Sequence, residues 1–344
     1  MTDAVKIAFV STAHIHSRAF LKKIAATPGL EPAGVWDDVP ERGKAYADEF
    51  GTTFEPDLAR LVGGEADAFV VCAENTRHLG VLEHVLPAGK PVLCEKPLAT
   101  TLADARRIRQ LADEHHTPLT SGYFQPFFGH HRAAMDAMAA GRLGKVTNLF
   151  FRNAHHAAFG RWFDNPDLAW FTKPDLAGGG AMLDLGTHAV HLLLHVAAAA
   201  GSRRCTHVRA DMANLAGVYP DVEDWGVIEM TFDDGRRARV ESAWIATTPG
   251  TGLEAWGTDA GLQVRHVDAN QVPVLTRPGK PDEPLDLAEA RPDRIDRLAA
   301  MARGQLPADE LADDLAACLQ AVAVMEAAYR SAAAGGGRVD VESV

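Results

Sequence analysis

Over residues 5–123, short apolar runs alternate with amphipathic stretches, and this rhythm leaves the first third of the chain very few folds. Val5–Val10, Pro32–Trp36, Ala68–Cys72, Val92–Cys94 and Leu119–Tyr123 read as strands. Arg18–Ala26, Glu41–Phe50, His78–Leu86 and Leu102–Glu114 read as helices. The strands are continuously apolar, so both of their faces must be covered, and the intervening helices supply that cover. The pattern predicts an α/β, Rossmann-like, doubly wound parallel sheet.

The rhythm breaks near Tyr123. A helix over His131–Ala140 ends at Gly141, and the strand-like runs Val146–Asn153, Thr206–Asn214, Trp225–Phe232 and Arg237–Ile245 follow, with Asp233-Asp234-Gly235 as a hairpin turn. The last runs have no helices between them, which predicts an α+β domain with a large, mainly antiparallel open sheet. Asp309–Ala334 has helical spacing and stops at three glycines. With 344 residues, two domains are expected, 1–123 and 124–344, the final helix being a candidate to pack back on the first.

A formal charge of -12 disfavours a nonspecific nucleic-acid partner, which needs a basic face to neutralise phosphates. The widely spaced Cys72, Cys94, Cys205 and Cys318 form no disulfide framework, and a reducing cytoplasm is expected. No signal-like start is seen, and no segment reads as long and apolar enough to span a bilayer. A small-molecule partner is the expectation.

A dinucleotide-binding domain should pass from its first strand into Gly-x-Gly-x-x-Gly, whose glycines let backbone N–H groups approach a pyrophosphate. The turn here is Ser11-Thr12-Ala13-His14-Ile15-His16, with Ser11, Ala13 and His16 at the glycine positions. Ser11 and Ala13 are small, whereas His16 is a large departure. Asp37 closes the second strand about 20 residues further on, where a carboxylate accepts hydrogen bonds from the adenosine ribose and favours NAD over NADP. Asp37-Asp38-Val39-Pro40 is also ordinary turn chemistry, and His14 and His16 also fit a helix-capping role.

Further along stands Gly89-Lys90-Pro91-Val92-Leu93-Cys94-Glu95-Lys96-Pro97, and later Gly178-Gly179-Gly180-Ala181-Met182-Leu183-Asp184-Leu185-Gly186-Thr187-His188. Together, in this order, they resemble the Gly-Lys-x-Val-x-x-Glu-Lys-Pro and Asp-x-Gly-x-His motifs of the Gfo/Idh/MocA oxidoreductases, and weaker echoes extend the likeness over nearly the whole chain. The resemblance implies an NAD(P)-dependent enzyme acting on CH–OH groups, with NAD as cofactor, bound by Ser11–His16, Asp37, Glu95 and Lys96. It implies that Lys96 stabilises the reacting hydroxyl as it becomes alkoxide-like, that His188 moves the proton and that Asp184 orients the substrate. The four-residue spacing of Asp184 and His188 places both on one helix face.

The family commonly carries an acid where this chain has His191. His155, His156, Arg161 and Trp170 join Asp184 and His188 as candidate substrate contacts, although Trp170 equally suits a core position. Six histidines (His14, His16, His155, His156, His188 and His191) raise the question of a metal. Their spacing matches no ligand signature, and no metal is expected. The implied reaction is reversible oxidation of a secondary alcohol on a sugar, inositol or related polyol. Transient oxidation serving elimination, epimerisation or glycoside cleavage, and a non-catalytic sugar or nucleotide sensor, stay open beside it. The resemblance also implies a homodimer or homotetramer.

Overall fold

The computed structural model describes residues 4–202, 204–248, 250–267 and 270–344. Two compact units divide the chain, and neither is continuous in sequence: one gathers Met1–Gly122, Phe163–Gly178 and Pro292–Leu319, the other Tyr123–Trp162, Gly179–Arg291 and Gln320–Val344. A single cut near residue 123 gives Phe163–Gly178 and Pro292–Leu319 to the second part; by their contacts they belong with the first.

In the first unit β1 (Val5–Val10), α1 (Ser17–Ala26), β2 (Leu30–Trp36), α2 (Pro40–Phe50), α3 (Leu58–Val62), β3 (Ala68–Val71), α4 (His78–Val85), β4 (Val92–Cys94), α5 (Leu102–Glu114) and β5 (Leu119–Ser121) follow the predicted rhythm. The strands form a parallel sheet in the order β2-β1-β3-β4-β5. Strand order reverses beside β1, so the loop after β1 opens at the topological switch point, where ligands of such sheets bind. Ile7, Phe9, Val70 and Leu93 are fully buried among Phe20, Leu21 and Ile24 of α1. Ile295, Leu298 and Ala299 complete this core, which is the apolar reason the late segment joins the early sheet. Each residue of such a core contributes roughly 1.5–3 kcal/mol through burial.

In the second unit α6 (Gly129–Ala139) and β6 (Val146–Ala154) precede α7 (Pro174–Ala177, which counts with the first unit) and α8 (Thr187–Ala199). Then come β7 (Cys205–Ala213), β8 (Trp225–Phe232), β9 (Arg237–Ala243), β10 (Gly250–Gly257), β11 (Gly261–Val267), β12 (Asn270–Thr276) and β13 (Glu283–Pro284). After α9 (Arg294–Ala302), which counts with the first unit, and α10 (Ala308–Ala333), which is shared between the two, β14 (Val339–Asp340) ends the order. The nine-stranded sheet runs β13-β12-β11-β10-β6-β9-β8-β7-β14 and is antiparallel except where β6 meets β9. Gly235, at φ 84°, makes the β8–β9 turn as its sequence predicts.

One expectation is corrected by composition. The stretch Pro174–Ala199 is long and apolar enough to cross a bilayer, but most of it is buried inside the protein. It contains α8, whose Val190, Leu192, Leu193 and Val196 are core residues.

Candidate functional site

The loop after β1 keeps the path of a nucleotide-binding turn without its glycines. Ser11 holds φ 63°, the left-handed conformation glycine normally takes there. Its amides are turned inward: Ser11 N donates to Trp36 O, Thr12 N to Asp37 Oδ2, Ala13 N to Ser11 Oγ, His14 N to Cys72 O and His16 N to His14 Nδ1. Ser11, Thr12, Ala13 and His14 are buried, while Ile15 and His16 reach solvent.

Asp37 lies at the end of β2, as expected, and is completely engaged. Oδ2 accepts from Thr12 N at 2.8 Å and Thr12 Oγ1 at 2.7 Å; Oδ1 accepts from Val39 N at 2.8 Å and Arg42 Nη2 at 2.7 Å. Arg42 also contacts Asp38 and Glu74 at 3.2 and 3.7 Å. This buried carboxylate thus stands beside the turn, held by an arginine that has two other acids within 4 Å.

Glu95 and Lys96 directly follow β4, and both are buried. Glu95 is the centre of a charge cluster whose members no spacing along the chain connects. Its Oε1 accepts from His16 Nδ1 at 2.9 Å and from Arg294 Nη1 at 3.3 Å, with His14 Nδ1 at 3.8 Å, and its Oε2 accepts from Lys96 N at 2.9 Å. Burial pushes the Glu95 carboxyl up, but His14, His16 and Arg294 outweigh it and hold the group well below the usual carboxylate range. His14, His16 and Glu95 have a donor set suited to a transition metal. Arg294 Nη1, however, lies 3.2 Å from His16 Nδ1 and 3.3 Å from Glu95 Oε1, so a guanidinium already stands where a metal bridging those atoms would have to be.

Trp170, a candidate substrate contact that equally suits a core position, is buried. It belongs to the first unit, stacks on Phe171 at 4.0 Å, and donates from Nε1 to Ala13 O at 3.0 Å. It therefore braces the turn.

In the second unit the Gly179–His188 segment opens the helix that carries the second motif. Glu223 Oε1 accepts from Gly180 N, Met182 N and Tyr329 Oη at 2.8, 3.1 and 2.7 Å, clamping the turn. A Cβ on Gly180 would meet the Glu223 carbonyl oxygen at 2.1 Å, which explains glycine at this close approach. Met182–Gly186 is one turn of π-helix, a wider turn found often at functional sites. The α-helical argument that put Asp184 and His188 on one face therefore does not hold as stated. Asp184 is half-buried, and its Oδ2 accepts from Trp244 Nε1 at 2.9 Å; Trp244 itself is fully buried on the segment after β9. Sequence reasoning missed this tryptophan because nothing in its spacing links it to Asp184.

His188 is buried and meets Tyr123 edge-on at 5.7 Å; His191 stacks flat on Tyr123 at 4.1 Å. Burial, then His195 and His188, holds His191 well below the ordinary imidazole range, so an uncharged ring stands where the resembling family has an acid. His155 is half-buried and His156 exposed, their rings 4.8 and 5.5 Å from that of Trp162; Arg161 is exposed over Tyr219. By unit, the candidate histidines divide into His14 and His16 in the first and His155, His156, His188 and His191 in the second.

Comparison with known proteins gives a match in each half of the chain. Residues 5–123 match the model of the oxidoreductase family with an NAD-binding Rossmann fold, and residues 131–263 match the GFO/IDH/MocA C-terminal domain. The 1,5-anhydro-D-fructose reductase of Ensifer adhaerens is 32% identical over 274 residues, covering 77% of this chain and 78% of that protein. A dTDP-3,4-didehydro-2,6-dideoxy-alpha-D-glucose 3-reductase of Streptomyces violaceoruber is 32% identical over 55% of this chain and 53% of its own length. Among solved structures, an inositol dehydrogenase homolog from Azotobacter vinelandii complexed with NAD+ superposes with a TM-score of 0.83 at 22% identity, covering 99% of this chain and 98% of that one.

Proposed function

The chain belongs to the Gfo/Idh/MocA family of NAD-binding oxidoreductases, and from that premise we propose that it interconverts a secondary alcohol and a ketone on a sugar, inositol or related polyol with NAD(H). The observation that carries this reading is the burial of Lys96 at the carboxyl end of a parallel strand, in the family motif. A buried lysine is costly unless its ammonium is paired or hydrogen-bonded, so its place at this strand end is a specific one.

The bound nicotinamide supplies the hydride acceptor or donor. Asp37 would hold the adenosine ribose, and the Ser11–His16 turn would face the pyrophosphate. The Lys96 ammonium favours the alkoxide-like form of the reacting hydroxyl, and the His188 imidazole takes its proton. Trp244 fixes the Asp184 carboxylate for a substrate hydroxyl.

Titration with NADH and NADPH and single-turnover hydride transfer test the proposal. NADH should bind more tightly, because Asp37 repels a 2′-phosphate. Lys96→Ala and His188→Ala should each slow hydride transfer by roughly 100-fold while the protein stays folded. Near-normal rates in either folded variant would remove that residue from the chemistry. Turnover without net NADH formation would assign transient oxidation instead.

A further inference from the structure

A glycine-rich turn holds pyrophosphate because its backbone N–H groups are exposed to the ligand and no side chain stands in front of them. Here the amides of Ser11, Thr12, Ala13, His14 and His16 all donate within the protein. The turn nevertheless sits at the switch point of the sheet and leads into α1, where a phosphate belongs. What it presents to solvent is a side-chain surface: His16, 29% exposed at the third glycine position, and beside it Arg294, 18% exposed at the start of α9.

The arginine is built into this position. Nη1 donates to Glu95 Oε1 and to Gly122 O, both at 3.3 Å, and its guanidinium carbon lies 4.5 Å from the centre of the Phe20 ring on α1. The planar guanidinium carries five N–H donors in a fork that matches phosphate oxygens, and the contacts through Nη1 fix its plane. Glu95 Oε1 accepts from His16 Nδ1, which orients the imidazole at the mouth of the turn and leaves Nε2 as the nitrogen that can donate to a phosphate oxygen when the ring carries both protons.

We propose that His16 and Arg294 recognise the cofactor pyrophosphate through their side chains, replacing the glycine cradle that this chain lacks. The proposal rests on the NAD-linked reading above and assigns a binding role to Arg294, far from the nucleotide motifs in sequence. Binding should then depend on the side chains of Arg294 and His16, and a probe without a pyrophosphate should be indifferent to them.

The test measures direct binding of NADH, ADP-ribose and adenosine by calorimetry to the wild-type chain and to His16→Asn, Arg294→Gln and Arg294→Lys. Loss of a charge-assisted contact should weaken NADH and ADP-ribose by about tenfold or more in His16→Asn and Arg294→Gln, while adenosine binds unchanged. Arg294→Lys keeps the charge opposite Glu95 and loses only the fork, so it should fold and still bind ADP-ribose more weakly than wild type. If Arg294→Gln does not fold, His16→Asn and Arg294→Lys decide the matter. Wild-type affinity for ADP-ribose in folded His16→Asn and Arg294→Lys would overturn the proposal while leaving the NAD-linked reading intact. Failure of the wild-type chain to bind either NADH or ADP-ribose would overturn that reading itself, and this proposal with it.

Discussion

Replacing Glu95 by Gln should destabilise the first unit far more than the loss of one hydrogen bond, because it strands a positive charge. The carboxylate is 0% exposed, so water does not screen it, and it faces the guanidinium of Arg294, 18% exposed. Removing one partner of a buried ion pair costs about 3–5 kcal/mol. The partial exposure of Arg294 lets water recover some of its hydration, which places the expected loss near the lower end, about 3 kcal/mol. In urea, with a slope of about 1–3 kcal/mol per molar, the midpoint should fall by about 1–3 M.

The fluorescence of Trp170, whose indole is bonded to the turn at Ala13, gives a readout close to the site. The decisive comparison is the double variant Glu95→Gln/Arg294→Gln. With neither charge left stranded, it should recover part of the loss, and the coupling should be on the order of 1–3 kcal/mol. If the two single losses simply add, or if Glu95→Gln alone lies within about 1 kcal/mol of wild type, the pair is not compensated as argued and the cluster's role in holding Arg294 falls with it.

Acid should weaken the fold well before carboxylates protonate. Burial, with Arg291, lowers His195 to about 4, and burial, with His130, lowers His131 to about 3. These rings are neutral when folded and ordinary when unfolded. Their contribution is present above the usual histidine pKa of about 6.5 and is lost as pH falls through their folded values, on the order of 3 kcal/mol for His195 by pH 4. Urea midpoints measured from pH 7.5 to 4.5 should decline, and His195→Gln should flatten the decline; an unchanged slope would count against it. Trp244→Phe removes the donor to Asp184 while keeping an aromatic ring. Substrate KM should rise, NADH binding should stay at the wild-type level, and Trp244→His, which restores an N–H, should recover part of the loss; an unaltered KM would show that Asp184 needs no such positioning.

The parallel sheet was readable because its strands are apolar without interruption and are separated by helices of ordinary period, so local pattern and global fold agree. The motifs that hold Lys96 and Asp184 were recognisable for a different reason: each is contiguous in sequence. The rest of the site is assembled by tertiary contacts. Arg294 reaches Glu95 across 199 positions, and Trp244 reaches Asp184 across 60, distances over which spacing carries no information. The π turn at Met182–Gly186 was hidden as well, because one additional residue in a helical turn leaves composition untouched while shifting the relation of Asp184 to His188. Even the missing glycines misled only in part. Ser11 takes the left-handed backbone at a small energetic cost, held by the Trp36 and Asp37 contacts around it, so the turn survives while its amides turn inward. On the proposal above, the loss of the glycines changes which groups meet the phosphate, from backbone N–H to the side chains of His16 and Arg294.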